Sequence, residues 1–513
     1  MLKTRDSTLL SSASLLASQG DVDQISALLR AVVTEPLGLV RALASVGSVT
    51  QAVQLIETAL TLELPEGLAA RLRCLLVELE VVGRDLPEAL ASAEEILGAE
   101  SGIPSSVRGA VAASRMFGRY FLDVAEGRRQ AEAVLRAYGG RIAGEAEVLA
   151  AATVLSDAVL SDGLVVEGLR LARAAVAAAA DLPSPVWRVY LHVVLAERLV
   201  DVGAYEEAEH VIRAAGTDGG QPVGGVGLTV AHVRARRLSH QGRLAEARDE
   251  AQKALAAAVG RGVRLSVPPL LATLGQFALL SGDLEGAAGY VRGYREALGQ
   301  SPGRLPSADY DWVELQVTAA RYGAGAALGE MNRRYAAADR RAALFVRQPG
   351  AAAWFVRTAL AAGDEKWAAT AAAQAGRLAE RNPGVPPLAS AALHAVSLLE
   401  GDPDGLVRAA TEHVDHGART SAAEDLTALL DGRFRGPAQQ DTDRPEAGAT
   451  ALSDVERTVA RLVGEGLTNQ QVAFRLRRSP HTINYHLRNI FRKLGISSRV
   501  ELARHTHGWA PGP

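Results

Sequence analysis

The side chains best suited to chemistry lie near the C-terminus. Asn484, Arg488 and Arg492 recur every fourth residue, with His481 and Tyr485 beside them. At 3.6 residues per turn this spacing puts an amide and two guanidinium groups on one face of a helix. Of these, Asn484 and Arg488 can pair bidentately with base edges in a major groove. Thr482, Arg492 and Lys493 are better placed for phosphate oxygens. On the other side Ile483, Leu487, Ile490 and Leu494, spaced four, three and four apart, make a core stripe. The chemistry on offer is recognition of a polyanion rather than bond-making. A charged helical face is by default only a solvated one, so the surrounding elements have to decide.

Those elements form a short series of capped helices. Ser453 and Glu456 have the spacing of a capping box, and Thr468-Asn469-Gln470-Gln471 repeats it for a second helix running to about Leu476. Ser479-Pro480 opens a third, with serine as cap and proline at the first helical position, where a missing N–H costs nothing. Three short helices in this span suit a helix-turn-helix. Leu452 to Gly508 carries 10 Lys/Arg against 4 Asp/Glu, a net of +6, while the chain before it holds 45 basic and 54 acidic residues, a net of −9. A basic tail on an acidic body places polyanion binding at the C-terminus.

The segment resembles the LuxR-type helix-turn-helix. Glu456, Gly466, Leu467, Thr468, Asn469, Val472, Ala473 and Leu476 stand where that signature has the same or similar residues. So do Ser479, Thr482, Ile483, His486, Leu487, Ile490, Lys493 and Leu494. The resemblance implies a supporting helix over 472–476, a recognition helix over 479–494 and a dimerisation helix near 499–507. It implies base reading at 484, 485 and 488, and a packed role for His486. The candidate DNA-binding set is therefore Thr468, Asn469, Thr482, Asn484, Tyr485, Arg488, Arg492 and Lys493. One departure stands out: Leu476-Arg477-Arg478-Ser479 lacks the glycine usual in the family's turn.

The body before this segment is read from a recurring turn. Gly203, Gly242, Gly282 and Gly363 are each followed five residues later by alanine, and Gly163 and Gly323 fall in the same series. From Gly163 the spacings are 40, 39, 40, 41 and 40 residues. Gly401 extends the series, and Gly20, Gly47, Gly83 and Gly127 continue it less regularly towards the N-terminus. Glycine supplies the left-handed residue that ends a first helix, and the small alanine lets a second one approach. Each helix pair has an apolar face it cannot bury alone, so neighbours must stack. A tetratricopeptide-like solenoid with units longer than the usual ~34 residues fits, as does a HEAT-like array. Scarce aromatics and abundant alanine agree with close-packed helices. Gly216 to Gly227, rich in glycine, reads as a loop between units. The body is similar to the helical-repeat half of large ATP-binding LuxR-type regulators. None of the four lysines (3, 253, 366, 493) sits in a P-loop context, which implies a version without the ATPase module.

The expected architecture is all-α. A helical-repeat (tetratricopeptide-like) solenoid spans 1–432, a flexible linker 433–451 and a four-helix, LuxR-type helix-turn-helix domain 452–508. Other signals are weak. Gly323 to Gly329 has the wrong spacing for a dinucleotide fingerprint and follows a helix. His413, Asp415 and His416 are too few ligands for a metal and read as exposed polar residues. Cys74, the single cysteine, reads as a buried hydrophobe and fits a reducing cytoplasm. No signal peptide or spanning run of apolar residues is present, so a cytoplasmic location away from membranes is expected.

No nucleophile–base pair, cofactor motif or metal set can be assembled, so the expected class is a transcription regulator and not an enzyme. Its expected partners are double-stranded DNA, a second copy of the chain on DNA, RNA polymerase, and a small molecule or protein at the repeats. Activation rather than repression follows only from the family. The alternative is a protein-interaction scaffold whose DNA-binding domain is non-functional.

Overall fold

The computed structural model describes residues 49–61, 64–83, 86–98, 103–179, 185–215, 227–299, 308–415, 452 and 454–464, and single positions between 472 and 502. Every regular element among them is helical. No helix there is long and apolar enough to cross a membrane.

The body is a string of antiparallel helix pairs. After α1 (Val49–Leu60) come α2 (Glu66–Gly83) with α3 (Leu86–Gly98), α4 (Ser105–Leu122) with α5 (Val124–Ala137), and α6 (Ala146–Ser161) with α7 (Val165–Ala177). Next are α8 (Pro185–Asp201) with α9 (Tyr205–Ala215), α10 (Gly227–His240) with α11 (Leu244–Arg261), and α12 (Val267–Leu280) with α13 (Leu284–Gly299). Then follow α14 (Ala308–Tyr322) with α15 (Ala324–Tyr335), the short α16 (Ala338–Arg347), α17 (Ala351–Ala361) with α18 (Glu365–Arg381), and α19 (Pro386–Glu400) with α20 (Pro403–Asp415). The helical-repeat solenoid expected from the glycine series is what forms. Gly227, expected in a loop, is the first residue of α10, and the rest of that expected loop, 216–226, lies outside the described residues.

The turn chemistry explains the period. Gly163, Gly203, Gly242, Gly282 and Gly363 have φ between 77° and 83°. In each case the next residue's N–H donates to a carbonyl five residues back, at 2.8–3.0 Å, which is a Schellman turn. Five residues after the glycine the helices touch: Ala208, Ala247, Ala287 and Ala368 are fully buried. At the equivalent Gly168 even a methyl group fails to fit, since its Cβ would lie 2.8 Å from the Ser156 carbonyl oxygen. Small residues recur there because helix backbones are in contact, and a larger side chain would overpack the pair at a cost of about 1–3 kcal/mol.

Two places in the series are built differently. Gly323, with φ 85° and ψ 176°, directly precedes α15, and the buried alanine arrives one residue sooner, at Ala327. Gly127 is not a turn residue at all. It lies inside α5, and a Cβ on it would come 2.5 Å from the Tyr120 Cα. The turn there is Asp123, whose carboxylate accepts from the Glu126 N–H at 3.0 Å. Gly127 therefore takes the tight-packing role that alanine has elsewhere.

The array coils back on itself. Asn382, after α18, bonds the turn at Gly163, more than 200 residues away. A Cβ on Gly203 would lie 3.2 Å from Pro387, and one on Gly262 would lie 3.4 Å from Thr50. Units about five apart thus meet, and the first helices of the pairs turn their inner faces towards a shared interior. Cys74 is buried, as expected. His413, expected to be exposed, is buried opposite His394, because α20 packs on α19. His416 lies outside the described residues.

Candidate nucleic-acid interface and interior cavity

The C-terminal segment has a core of its own. Helix α21 (Asp454–Gly464) contributes Val459, Ala460, Leu462 and Val463. Val472 and Ala473 from the supporting segment and Ile483, Leu487 and Ile490 from the recognition segment bury in the same cluster, with Leu494 against it. The stripe spaced four, three and four apart is thus the buried one. Glu456 is buried too, and Arg457 donates to the Leu452 carbonyl at 3.2 Å. His486 is buried, consistent with a packing role.

All eight candidate DNA-contacting residues (Thr468, Asn469, Thr482, Asn484, Tyr485, Arg488, Arg492 and Lys493) lie outside the described residues. So do Ser453, Arg477 to Pro480, the linker 433–451 and the segment 499–507 apart from Leu502, which is buried in the same core.

A second site, not anticipated from the sequence, occupies the inside of the coil. Arg198 on α8 donates to Asp157 on α6 at 2.6 Å and to Asp201 at 3.0 Å. Arg236 on α10 donates to the other oxygen of Asp201 at 2.9 Å. Arg347, the last residue of α16, approaches Asp157 at 3.6 Å, Asp309 on α14 at 3.2 Å and Glu197 on α8 at 4.0 Å. The break at Gln348-Pro349-Gly350 between α16 and α17 ends the helix where this guanidinium can point inward. Tyr120 donates to the remaining oxygen of Asp157.

Asp157, Arg198, Asp201 and Arg236 are buried, with Arg198 only 2% exposed, while Glu197, Asp309 and Arg347 are half-buried at the cavity edge. Burial alone would raise the pKa of Glu197, but the His232 hydrogen bond and the charges of Arg347 and Arg198 outweigh it and hold the group at about 2. Asp309 is likewise held low: burial opposes ionisation, and Arg347 and Arg236 more than compensate. Burial pushes the Tyr120 and Tyr190 hydroxyls well up. Burial, with Arg236 beside it, lowers His240 to about 4.

The charges border two adjoining cavities of about 120 Å³ each, which share Ala272, Asp309 and Arg347. The first has an aromatic wall. Tyr190 meets Phe117 edge-on at 5.0 Å and Phe121 at 5.9 Å, and Tyr294 stacks on Tyr310 at 3.8 Å. The sequence held a signal for this site. Asp157, Glu197, Arg236 and Gln276 each stand six residues before a turn glycine, a polar residue recurring at one place in successive units.

Comparison with known proteins covers the C-terminal segment most specifically. Residues 450–506 match the family model described as bacterial regulatory proteins, luxR family. An HTH-type transcriptional regulator of Mycobacterium tuberculosis H37Rv, Rv0890c, is 41% identical over 86 residues, which is 17% of this chain and 9% of that protein. The transcriptional regulatory protein UhpA of Escherichia coli K12 is 41% identical over 59 residues, 11% of this chain and 30% of that one. The nitrate/nitrite response regulator protein NarL of the same organism is 29% identical over 110 residues, 21% of this chain and 48% of that one. The matched part is thus less than a tenth of the length of the mycobacterial relatives. A Rap protein crystallised with competence and sporulation factor is similar to the body at a TM-score of 0.44 and 12% identity, covering 72% of this chain and 98% of that one. The C-terminal segment is a LuxR-type helix-turn-helix domain, carried behind a helical-repeat body.

Proposed function

We propose that the chain is a sequence-specific DNA-binding transcription regulator, an activator by family habit, whose repeat body senses a ligand or partner. The observation that carries the reading is the luxR family match over 450–506, together with burial of Ile483, Leu487 and Ile490 in one core. At 100° per residue, a helix with those positions inward turns 485, 488 and 492 to the opposite side and 484 to the flank beside them. That supports Asn484, Tyr485 and Arg488 as base readers. Thr468, Asn469, Thr482, Arg492 and Lys493 are assigned to phosphate or groove-edge contacts. The division into 1–432, 433–451 and 452–508 follows from the same reading, as do binding to DNA as a homodimer and contact with RNA polymerase. Neither the matched family nor the relatives named above are enzymes by description, and the chain is assigned no reaction.

The test is binding of the full chain to a randomised duplex library, followed by isotherms on the enriched site at several salt concentrations. About four phosphate contacts per domain in a dimer give a log–log salt slope of roughly −7. Two related half-sites are expected in the enriched sequence. No enrichment over random DNA, or affinity flat in salt, would leave the scaffold reading in its place.

A further inference from the structure

The interior cluster is not charge-balanced. Four carboxylates (Asp157, Glu197, Asp201, Asp309) face three guanidinium groups (Arg198, Arg236, Arg347), so carboxylates outnumber guanidinium groups by one, with His232 against Glu197. His240 is neutral near pH 7, because burial and Arg236 lower its pKa to about 4. His232 offers its Nδ1 to Glu197 at 3.4 Å. With Nδ1–H donated to that carboxylate, Nε2 of the neutral ring is an acceptor, and this atom is buried with no hydrogen-bond partner among the described residues. Excess carboxylate and an unmet polar atom are both costly to bury, and an occupant of the adjoining cavity that matches them relieves that cost.

The occupant's chemistry follows from the walls. A cation satisfies the surplus charge, an ammonium N–H satisfies His232 Nε2, and the aromatic faces of Phe117, Tyr190 and Tyr294 favour a cation attached to an apolar body. The Nε–H groups of Arg198 and Arg347 also lack a protein acceptor, which leaves room for a hydroxyl or carbonyl oxygen on the same molecule. We propose that the cavity between α4, α6, α8, α10 and α14 binds a small organic amine in its protonated form, with the ammonium group at Glu197 and His232 and the apolar body against the aromatic wall. This deepens the sensing role proposed for the body and rests on it for its consequence, though not for its chemistry. The site joins residues from both ends of one turn of the coil, Asp157 and Arg347, so an occupant would tighten the closure between them.

The test is calorimetric titration of the full chain, without DNA, against 2-phenylethylamine, hexylamine, 2-phenylethanol and 3-phenylpropionate at fixed ionic strength. The amines are expected to bind saturably at one site and at least tenfold more tightly than the alcohol, with the carboxylate weakest. Glu197→Gln should weaken the amines about tenfold and leave the alcohol unchanged. His232→Phe should do the same, and supplies the comparison if the first variant does not fold. Binding indifferent to charge, tighter binding of the carboxylate, or no saturable binding of either amine up to about 10 mM overturns the proposal. Because DNA is absent, a failed titration alongside intact DNA retention removes the cavity assignment alone.

Discussion

Asn382 caps a turn more than 200 residues away. Its Nδ2 donates to the Gly163 carbonyl at 2.9 Å, and its Oδ1 accepts from the Val165 N–H at 2.8 Å. The same amide nitrogen also donates to the Leu378 carbonyl at 2.8 Å, and the residue is 2% exposed. One side chain thus ties α18 to the α6–α7 turn and locks one round of the coil onto another.

Replacing it should loosen that closure. Asn382→Ala leaves the Val165 N–H and two carbonyls buried without partners, at a cost of about 2–4 kcal/mol. Asn382→Asp should be at least as damaging, because it sets a carboxylate oxygen against two carbonyl oxygens. Urea unfolding followed by circular dichroism should show the lower midpoint. An unchanged midpoint for both variants would mean the coil closes without this contact.

The glycines divide into two classes with opposite expected signs. Gly127→Ala and Gly168→Ala force a Cβ into contacts of 2.5 Å and 2.8 Å with the neighbouring helix backbone, and each should destabilise by about 1–3 kcal/mol. Gly376, inside α18, has nothing within 4 Å of its would-be Cβ. There alanine should stabilise by roughly 0.5–1 kcal/mol, because it restricts the unfolded chain. Thermal melts of the three variants decide it, and a loss at Gly376→Ala would contradict the assignment.

Acid should weaken the body in two stages. Glu197 is held at about 2 against an ordinary 4.5, and His240 at about 4 against 6.5. Both folded pKa values are depressed, so the unfolded chain binds more protons and stability falls as pH falls. The His240 contribution, complete above 6.5, is lost towards 4, and that of Glu197 is lost from 4.5 towards 2. His240→Gln should flatten only the upper limb of a plot of denaturation midpoint against pH. If the upper limb persists in that variant, another group carries it.

On DNA, Arg488→Ala should cost on the order of 1–3 kcal/mol at the enriched site and relax preference at one base position. Lys493→Ala should weaken all sequences alike and lower the salt slope by about 1 for each subunit. Competition binding with cognate and random duplexes separates the two. Equal losses on both DNAs for Arg488→Ala would place it among the phosphate contacts.

Much of this was legible in the residue order because it depends on local periodicity. A core stripe such as Ile483, Leu487 and Ile490 is set by helical geometry, and a Schellman turn by one residue that tolerates positive φ, so both can be read along the chain. The forty-residue period followed from such turns alone. Gly127 misled because glycine serves two purposes, a left-handed turn and a close helix approach, and only the packing against Tyr120 shows which applies. The interior charges could not be read as a site for a related reason. Asp157 and Arg347 lie 190 positions apart, and nothing local says that their helices meet. That meeting depends on the coil's curvature, the sum of small rotations between stacked pairs, which only the tertiary structure decides.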